Sequence, residues 1–420
     1  MSLTKLFVSS KFLQQYDPQK LWVTTGYYTA FIALGLVQAS LGPTLPGLAE
    51  HTNTQLNQLS FLFVARAIGY LTGAFLGGRL YDRMRGHPVM AVVLGVMTLA
   101  VFLIPLMPVL WALVAVLLTL GIAESVLDVG GNSLLMRLHR HQVGPFMNGL
   151  HLFFGLGAFL SPIIIAQAVL LSGDITWAYW MLALLVLPVG TWIIRLPSPS
   201  TLMPRPASND KRTSVSDDPP DPVKSRRGLL IFLITLFFFL YVGIEIGYSG
   251  WIFTYAITLG LANETMAAYL TSAFWGSFTV GRLVAVPIAV RFKPAAILLV
   301  NLIGVLLSVG LVLLWSDWSV IIWLGTMGAG FWMASIFPNL LSLAGRSFEV
   351  TGQITGWFLA GASVGAMFLP WLIGQLFESV GPRVLMLAIE ANTLVAMALF
   401  GVIWLVIRQN SRPVVTSPEK

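Results

Sequence analysis

About twelve stretches of roughly 20 uncharged residues recur along this 420-residue chain, and that recurrence constrains the fold more than any other feature. Crossing a hydrocarbon core of about 30 Å takes about 20 apolar residues in a helix, and in lipid only a helix or a closed barrel satisfies its own backbone polar groups. The runs are long and continuous, as in Val89 to Met107 and Ala295 to Leu314, whereas a barrel needs short alternating strands. The spans are expected near 21–48, 59–79, 89–107, 110–136, 144–172, 177–195, 229–258, 265–290, 295–314, 318–343, 351–378 and 383–408. The expected fold class is an all-α membrane protein with twelve transmembrane helices. Composition agrees: 57% of residues are hydrophobic and only 10% charged, against about a quarter charged in soluble domains, which excludes a water-soluble reading.

A net charge of +7 raises the question of a nucleic-acid partner, and the placement of the charges answers it. Threading twelve spans with both termini on one side puts all but three of the 24 Lys and Arg on that side, among them Arg79, Arg83, Arg85, Arg137, Arg140, Arg291 and Lys293. Arg66 and Arg282 fall inside spans, and only Arg383 lies in an opposite loop. The positive-inside rule makes the basic side cytoplasmic, as expected of a multi-pass protein of the cell (inner) membrane with both termini in the cytoplasm. Basicity thus needs no nucleic acid. The acidic loop residues Glu50, Asp174, Glu264, Asp317 and Glu378 fall on the opposite side. No cysteine is present, which removes disulfides, thiol catalysis and Cys-ligated metals, and no cofactor is expected. Met1 to Lys20 lacks a continuous apolar core and a cleavage site, so the first span reads as retained. Leu3, Leu6, Phe7, Phe12 and Leu13 fit either a short interfacial helix or a tail.

The one long polar stretch, 196–228, is rich in Pro, Ser, Asp and basic residues and reads as a cytoplasmic linker between a half at 1–195 and a half at 229–420. An offset of 208 residues relates the two. Phe31, Gly35 and Gly42 recur as Phe239, Gly243 and Gly250; Gly73 and Arg83 as Gly281 and Arg291; Gly144, Gly157, Ala158, Pro162 and Gln167 as Gly352, Gly365, Ala366, Pro370 and Gln375. Six spans per half is an even number, so the duplication is parallel, with a pseudo-two-fold axis along the membrane normal and a solute site expected at the midplane.

After span two comes Gly78-Arg79-Leu80-Tyr81-Asp82-Arg83-Met84-Arg85-Gly86-His87, which resembles the G-x-L-x-D-R-x-G-R signature of the major facilitator superfamily. Arg85-Gly86 reverses the usual order, and the second half keeps Arg291 but has Val290 at the position of the Asp. Leu127 to Asn132, Leu150 to Pro162, Tyr241 to Glu245 with Gly250-Trp251, and Ala273 to Leu283 resemble the sodium-dependent glucose transporter branch, a relative of the fucose-proton symporters. The resemblance implies a major facilitator fold, a conformational latch of Asp82 and Arg83 with the membrane arginines Arg66 and Arg282, and a cavity lined by spans one, four, seven and ten. It further implies that Glu124 stands where fucose-type symporters carry a protonatable Glu, although their first-helix acid is replaced by Gly42 or Gln38.

Charges within the membrane cost a few kcal/mol each on insertion scales, so each asks for a role. Glu124, Asp128 and Asn132 share one face of span four. The two carboxylates either cage Na⁺, or one stays protonated beside its like-charged neighbour. Depth counting pairs Arg66 with Glu124 and sets Asp128 level with His151 and Arg282, either as static ion pairs or as pairs that exchange partners in transport. His151 is the residue type that changes charge near neutral pH. In span seven, Gly247 and Gly250 permit local unwinding, and Trp251, Trp275, Trp332 and Trp357 offer faces for a sugar ring, with Gln38, Glu245 and Asn339 as polar partners. The expected function is a secondary active transporter that moves a small solute, a sugar or sugar-like compound, by alternating access coupled to Na⁺ or H⁺. A proton-coupled exporter of amphipathic compounds and a non-transporting receptor are the alternatives. No P-loop, H-E-x-x-H or nucleophile elbow occurs, so an enzyme is not expected.

Overall fold

The computed structural model describes residues 17–197, 222–315 and 318–410, with no strand among them. Eleven helices are long and apolar enough to cross a membrane, and a bent pair supplies a twelfth crossing. That pair is α1, Pro18–Gln38 and Leu41–Thr52, meeting at 45°. There follow α2 (Leu56–Arg83), α3 (Gly86–Leu106), α4 (Leu110–His139), α5 (Val143–Ser172) and α6 (Ile175–Ile193). The second set is α7 (Arg227–Thr258), α8 (Glu264–Arg291), α9 (Pro294–Leu314), α10 (Ser319–Ser347), α11 (Gly352–Val380) and α12 (Val384–Gln409). The apolar residues near the N-terminus, Asp317 and most of the linker expected at 196–228 lie outside the described residues.

Local chemistry sets the helix ends. Asp17, Asp174 and Asn263 cap α1, α6 and α8 by accepting from the N–H of Gln19, Thr176 and Met266, at 2.9, 3.0 and 2.9 Å. Gly173, at φ +73°, closes α5 in the left-handed conformation.

Two interruptions fall inside spans expected to be continuous, and both have the same cause. Proline has no N–H and its ring clashes with the carbonyl four residues back. Pro43 interrupts α1 at Ala39–Ser40, and Pro338 interrupts α10 at Ala334–Ser335. The broken turn of α10 is held by side chains: Tyr241 donates to the Met333 carbonyl (2.9 Å), Asn339 to the Ser335 carbonyl (2.7 Å) and Asn301 to the Ser335 hydroxyl (2.7 Å). Span seven corrects the expectation of unwinding, because its helix runs unbroken through Gly243, Gly247 and Gly250. Those glycines serve packing instead, since a Cβ at Gly250 would lie 2.7 Å from the Phe63 ring.

The halves repeat their packing. α1 lies on α5 as α7 lies on α11, α2 on α4 as α8 on α10, and α3 on α6 as α9 on α12. The glycines at offset 208 sit at equivalent crossings: Gly157 against the Ile32 carbonyl and Gly365 against the Phe239 carbonyl, with no room for a side chain at either. Gly157→Ala and Gly365→Ala are each expected to destabilise by about 1–3 kcal/mol through overpacking, read as lower thermal midpoints of the purified protein. Unchanged midpoints would mean the crossings relax freely.

Between the halves, α2 meets α11, α5 meets α8, and the second segment of α1 meets α7. α4 packs on α1, α2, α3 and α5, and α10 on α7, α8 and α9, so no substantial seam joins α4 to α10. The end carrying Arg79, Arg83, Arg137, Arg195, Arg291, Lys293 and Arg346 is called the basic end below. Side-chain hydrogen bonds between halves occur at the opposite end. Gln375 donates to the Asn57 carbonyl (2.7 Å) and the Ser60 hydroxyl (3.0 Å), Leu56 N–H donates to Glu378 (3.0 Å), and Gln167 donates to the Tyr269 hydroxyl (2.6 Å).

Candidate functional site

α2 and α4 run in the same direction, so residues 58 apart face each other twice. Arg66 Nε donates to Glu124 Oε2 at 2.8 Å while Nη2 meets Oε1, and one turn along Tyr70 donates to Asp128 Oδ2 at 2.6 Å. Close backbone approach makes this geometry available: a Cβ at Gly69 would strike the Leu118 carbonyl, and one at Gly121 the Arg66 carbonyl. The Arg66 fork has further donors, and the broken turn of α1 has spare acceptors. Nη1 donates to the Gln38 carbonyl and Nη2 to the Val37 carbonyl, both at 3.1 Å. One guanidinium therefore joins α1, α2 and α4, with its side chain 12% exposed and Glu124 wholly buried. Planar fork-to-carboxylate pairing of this kind suits arginine and not lysine.

Asp128 is held differently. Besides Tyr70, its Oδ1 accepts from Asn132 Nδ2 at 2.9 Å, and the same amide reaches the Asp128 carbonyl at 2.9 Å. The ion pairs expected with His151 or Arg282 do not form within 4.0 Å among the described residues. Arg282 of α8 instead stands over the Phe278 ring, 4.7 Å from its centre, near enough to act electrostatically on Asp128, Glu245 and His151. Glu245 on α7 has the Tyr241 hydroxyl beside it. The candidate site grouped around Arg282 thus draws on Asp128 and His151 from the first half and Glu245 from the second.

The sequence comparisons address this architecture. The Major Facilitator Superfamily model matches residues 27–359. The chain belongs to the major facilitator superfamily. Among its superfamily relatives, sodium-dependent glucose transporter 1 of Xenopus laevis is 30% identical over 87% of this chain and 78% of its own length. Mouse sodium-dependent glucose transporter 1A is 30% identical over 83% of this chain and 88% of its own. Human major facilitator superfamily domain-containing protein 4A is 26% identical over 85% and 87%. A crystal structure of a mutant of the nucleoside transporter NupG shares the fold with a TM-score of 0.72, at 13% identity, over 92% of this chain and all of that one.

Within this superfamily fold, the other sequence-selected residues separate into distinct places. Trp275 is buried at the seam between halves, edge-on to Phe154 of α5 (6.3 Å) and next to Phe278 (5.5 Å). Trp251 is fully buried toward the end opposite the basic one; its Nε1 donates to the Pro370 carbonyl at 2.9 Å, and its ring stacks on Phe377. Trp332 lies in a groove of α8, α9 and α10, and Trp357, 58% exposed, sits beside Arg227 and Thr351 at the basic end of α7 and α11. Asn339 serves the α10 break, and Gln38 contributes its backbone carbonyl to Arg66. At the superfamily signature, Arg137 of α4 donates to the Tyr81 carbonyl (2.8 Å) and to Asp82 (3.1 Å), so Asp82 is engaged within its own half and Arg83 is exposed.

Tyr70 and the Val37 and Gln38 carbonyls were not selected by sequence. A signal for Tyr70 existed: it follows Arg66 by four residues as Asp128 follows Glu124, which puts both pairs in register between parallel helices.

Proposed function

We propose that the chain is a cation-coupled secondary transporter that takes up a small neutral polar solute, a sugar or sugar-like compound, by alternating access. One observation carries this reading, the charge balance at the centre. Arg66 neutralises Glu124, which leaves two carboxyl groups, Asp128 and Glu245, sharing one guanidinium, Arg282. A water-poor site holds an uncompensated charge only at high cost, so one Na⁺ or H⁺ completes it. Because Glu124 is held by a guanidinium and Asp128 only by the neutral Tyr70 and Asn132, Asp128 is the better coupling residue of the two in span four. Phe154, half-buried at the seam and backed by the buried Trp275 and Phe278, supplies aromatic surface there, suited to the apolar face of a sugar ring. The names of the sodium-dependent glucose transporters support the sugar and the sodium.

In this reading the moving units are 1–195 and 229–420, joined by 196–228, and the basic end is cytoplasmic. The absence of an α4–α10 seam and the hydrogen bonds at the far end then correspond to a state open toward the cytoplasm. The test is uptake of radiolabelled glucose and a panel of sugars into proteoliposomes under imposed Na⁺ or H⁺ gradients. Wild type is expected to accumulate a sugar above its external concentration with one of the two gradients. Asp128→Asn is expected to equilibrate the same sugar without accumulating it. Absence of gradient-dependent uptake by folded wild type would sink the proposal.

A further inference from the structure

The α8–α9 turn differs from its counterpart in the first half by one charge. At offset 208, Arg83 and Arg85 become Arg291 and Lys293, but Asp82 becomes Val290. In the first half the turn keeps a carboxylate, Asp82, which accepts from Arg137 of α4. In the second half Val290 is 85% exposed, and no carboxylate lies within 4.0 Å of Arg291 or Lys293 among the described residues. The cations have been kept and their anion has not.

Directly beside this turn opens an apolar groove of about 250 Å³. Val284 and Ile288 of α8, Phe292 of the turn, Ala296 and Val300 of α9 and Trp332 of α10 line it, with every lining residue in the second half. Phe292, one of the lining residues, stands between Arg291 and Lys293, so the cations mark the mouth of the groove. Arg346 closes the segment of α10 that packs on α9, at the same end. An apolar slot entered past two or three unpaired cations at the level of the helix ends complements one ligand class: a hydrocarbon chain bearing an anionic headgroup.

We propose that this groove binds one anionic phospholipid, with an acyl chain along Val284, Ile288 and Trp332 and its phosphate between Arg291 and Lys293. Basic pockets between helices recognise anionic headgroups in this way, and each cation near such a surface contributes a factor of about five in affinity. The first-half turn keeps a carboxylate, Asp82, among its cations and is expected to hold an anionic lipid less tightly.

The test is lipid titration of the full-length protein in detergent, followed by native mass spectrometry, with phosphatidylglycerol and phosphatidylcholine of the same acyl composition. Wild type is expected to hold one phosphatidylglycerol about thirtyfold more tightly than phosphatidylcholine. Arg291→Gln with Lys293→Gln should erase that preference. Arg79→Gln with Arg85→Gln, at the basic end of α2 and on the turn that follows it, should keep it. Ala296→Trp, or Ala285→Phe if the first does not fold, should weaken both lipids by filling the groove. Glycerol 3-phosphate should not compete, since it lacks the chain. Retention of the preference in the Arg291/Lys293 variant, or its equal loss in the Arg79/Arg85 variant, would overturn the assignment in favour of diffuse charge attraction.

Discussion

Glu124→Ala is expected to lower the stability of the folded protein by about 3–5 kcal/mol, the range for removing one partner of a buried ion pair. The cause lies less in the lost attraction than in what remains. Arg66 would keep a full charge in a site that is 12% exposed, with only the Val37 and Gln38 carbonyls as partners. Arg66→Ala should cost a comparable amount by the opposite route: it orphans the Glu124 carboxylate and also the two carbonyls at the α1 break. The double replacement Arg66→Met with Glu124→Leu removes both charges together, and buried pairs exchanged for apolar groups of similar volume are often neutral. It should therefore recover most of the loss, short of what the α1 carbonyls contribute. Thermal midpoints of the four proteins in one detergent close the cycle. Additive losses in the double variant would show that the two residues do not act as a pair.

The second large effect concerns the equilibrium between conformations. Gln375→Ala combined with Glu378→Ala removes three hydrogen bonds between α11 and the first turns of α2. At a net contribution of about 1 kcal/mol per bond, the far-end closure loses about 2–3 kcal/mol, a shift of roughly 30- to 150-fold in the equilibrium. The cysteine-free chain suits spin labelling, because every introduced thiol is unique. Labels at Asn53→Cys and Val380→Cys should report short distances in wild type and a dominant longer population in the double variant. Gln167→Ala, which severs the single bond to Tyr269 across the α5–α8 seam, should move the same equilibrium less. Identical distance distributions in wild type and double variant would show that the closure is held by packing alone.

The two glutamines in these experiments illustrate why so much of the fold was legible in the sequence. Gln167 and Gln375 were paired by the 208-residue offset alone, and each crosses between halves on an equivalent helix. Lipid leaves few alternatives to a bundle of spanning helices, so apolar length nearly dictates the architecture, and duplication dictates the pairing. The Arg66–Glu124 pair was likewise readable, because depth along two helices is simple counting. The breaks in α1 and α10 were not, although Pro43 and Pro338 were in plain view. Proline is tolerated within α5 and α11 at Pro162 and Pro370, so its presence alone does not say which helix gives way. The tryptophans were the least legible. Trp275 reached the seam near the charges while Trp332 and Trp357 stand elsewhere, because a tryptophan packs equally well against helices, lipid and solute.

The second segment of α1 belongs to the first half by chain and leans on the second half by packing. Thr44 and Tyr179 share a hydrogen bond at 2.6 Å and His51 meets Asp174 at 3.1 Å, so two side-chain bonds tie it to α6. Against α7 it offers Gly42, where a Cβ would lie 2.8 Å from the Ser249 carbonyl and 3.0 Å from that of Gly250. Two stretches of backbone in such close contact, without side chains interlocked at Gly42, make a bearing. In the proposed alternating-access cycle the segment would travel with α6 while α7 slides past it.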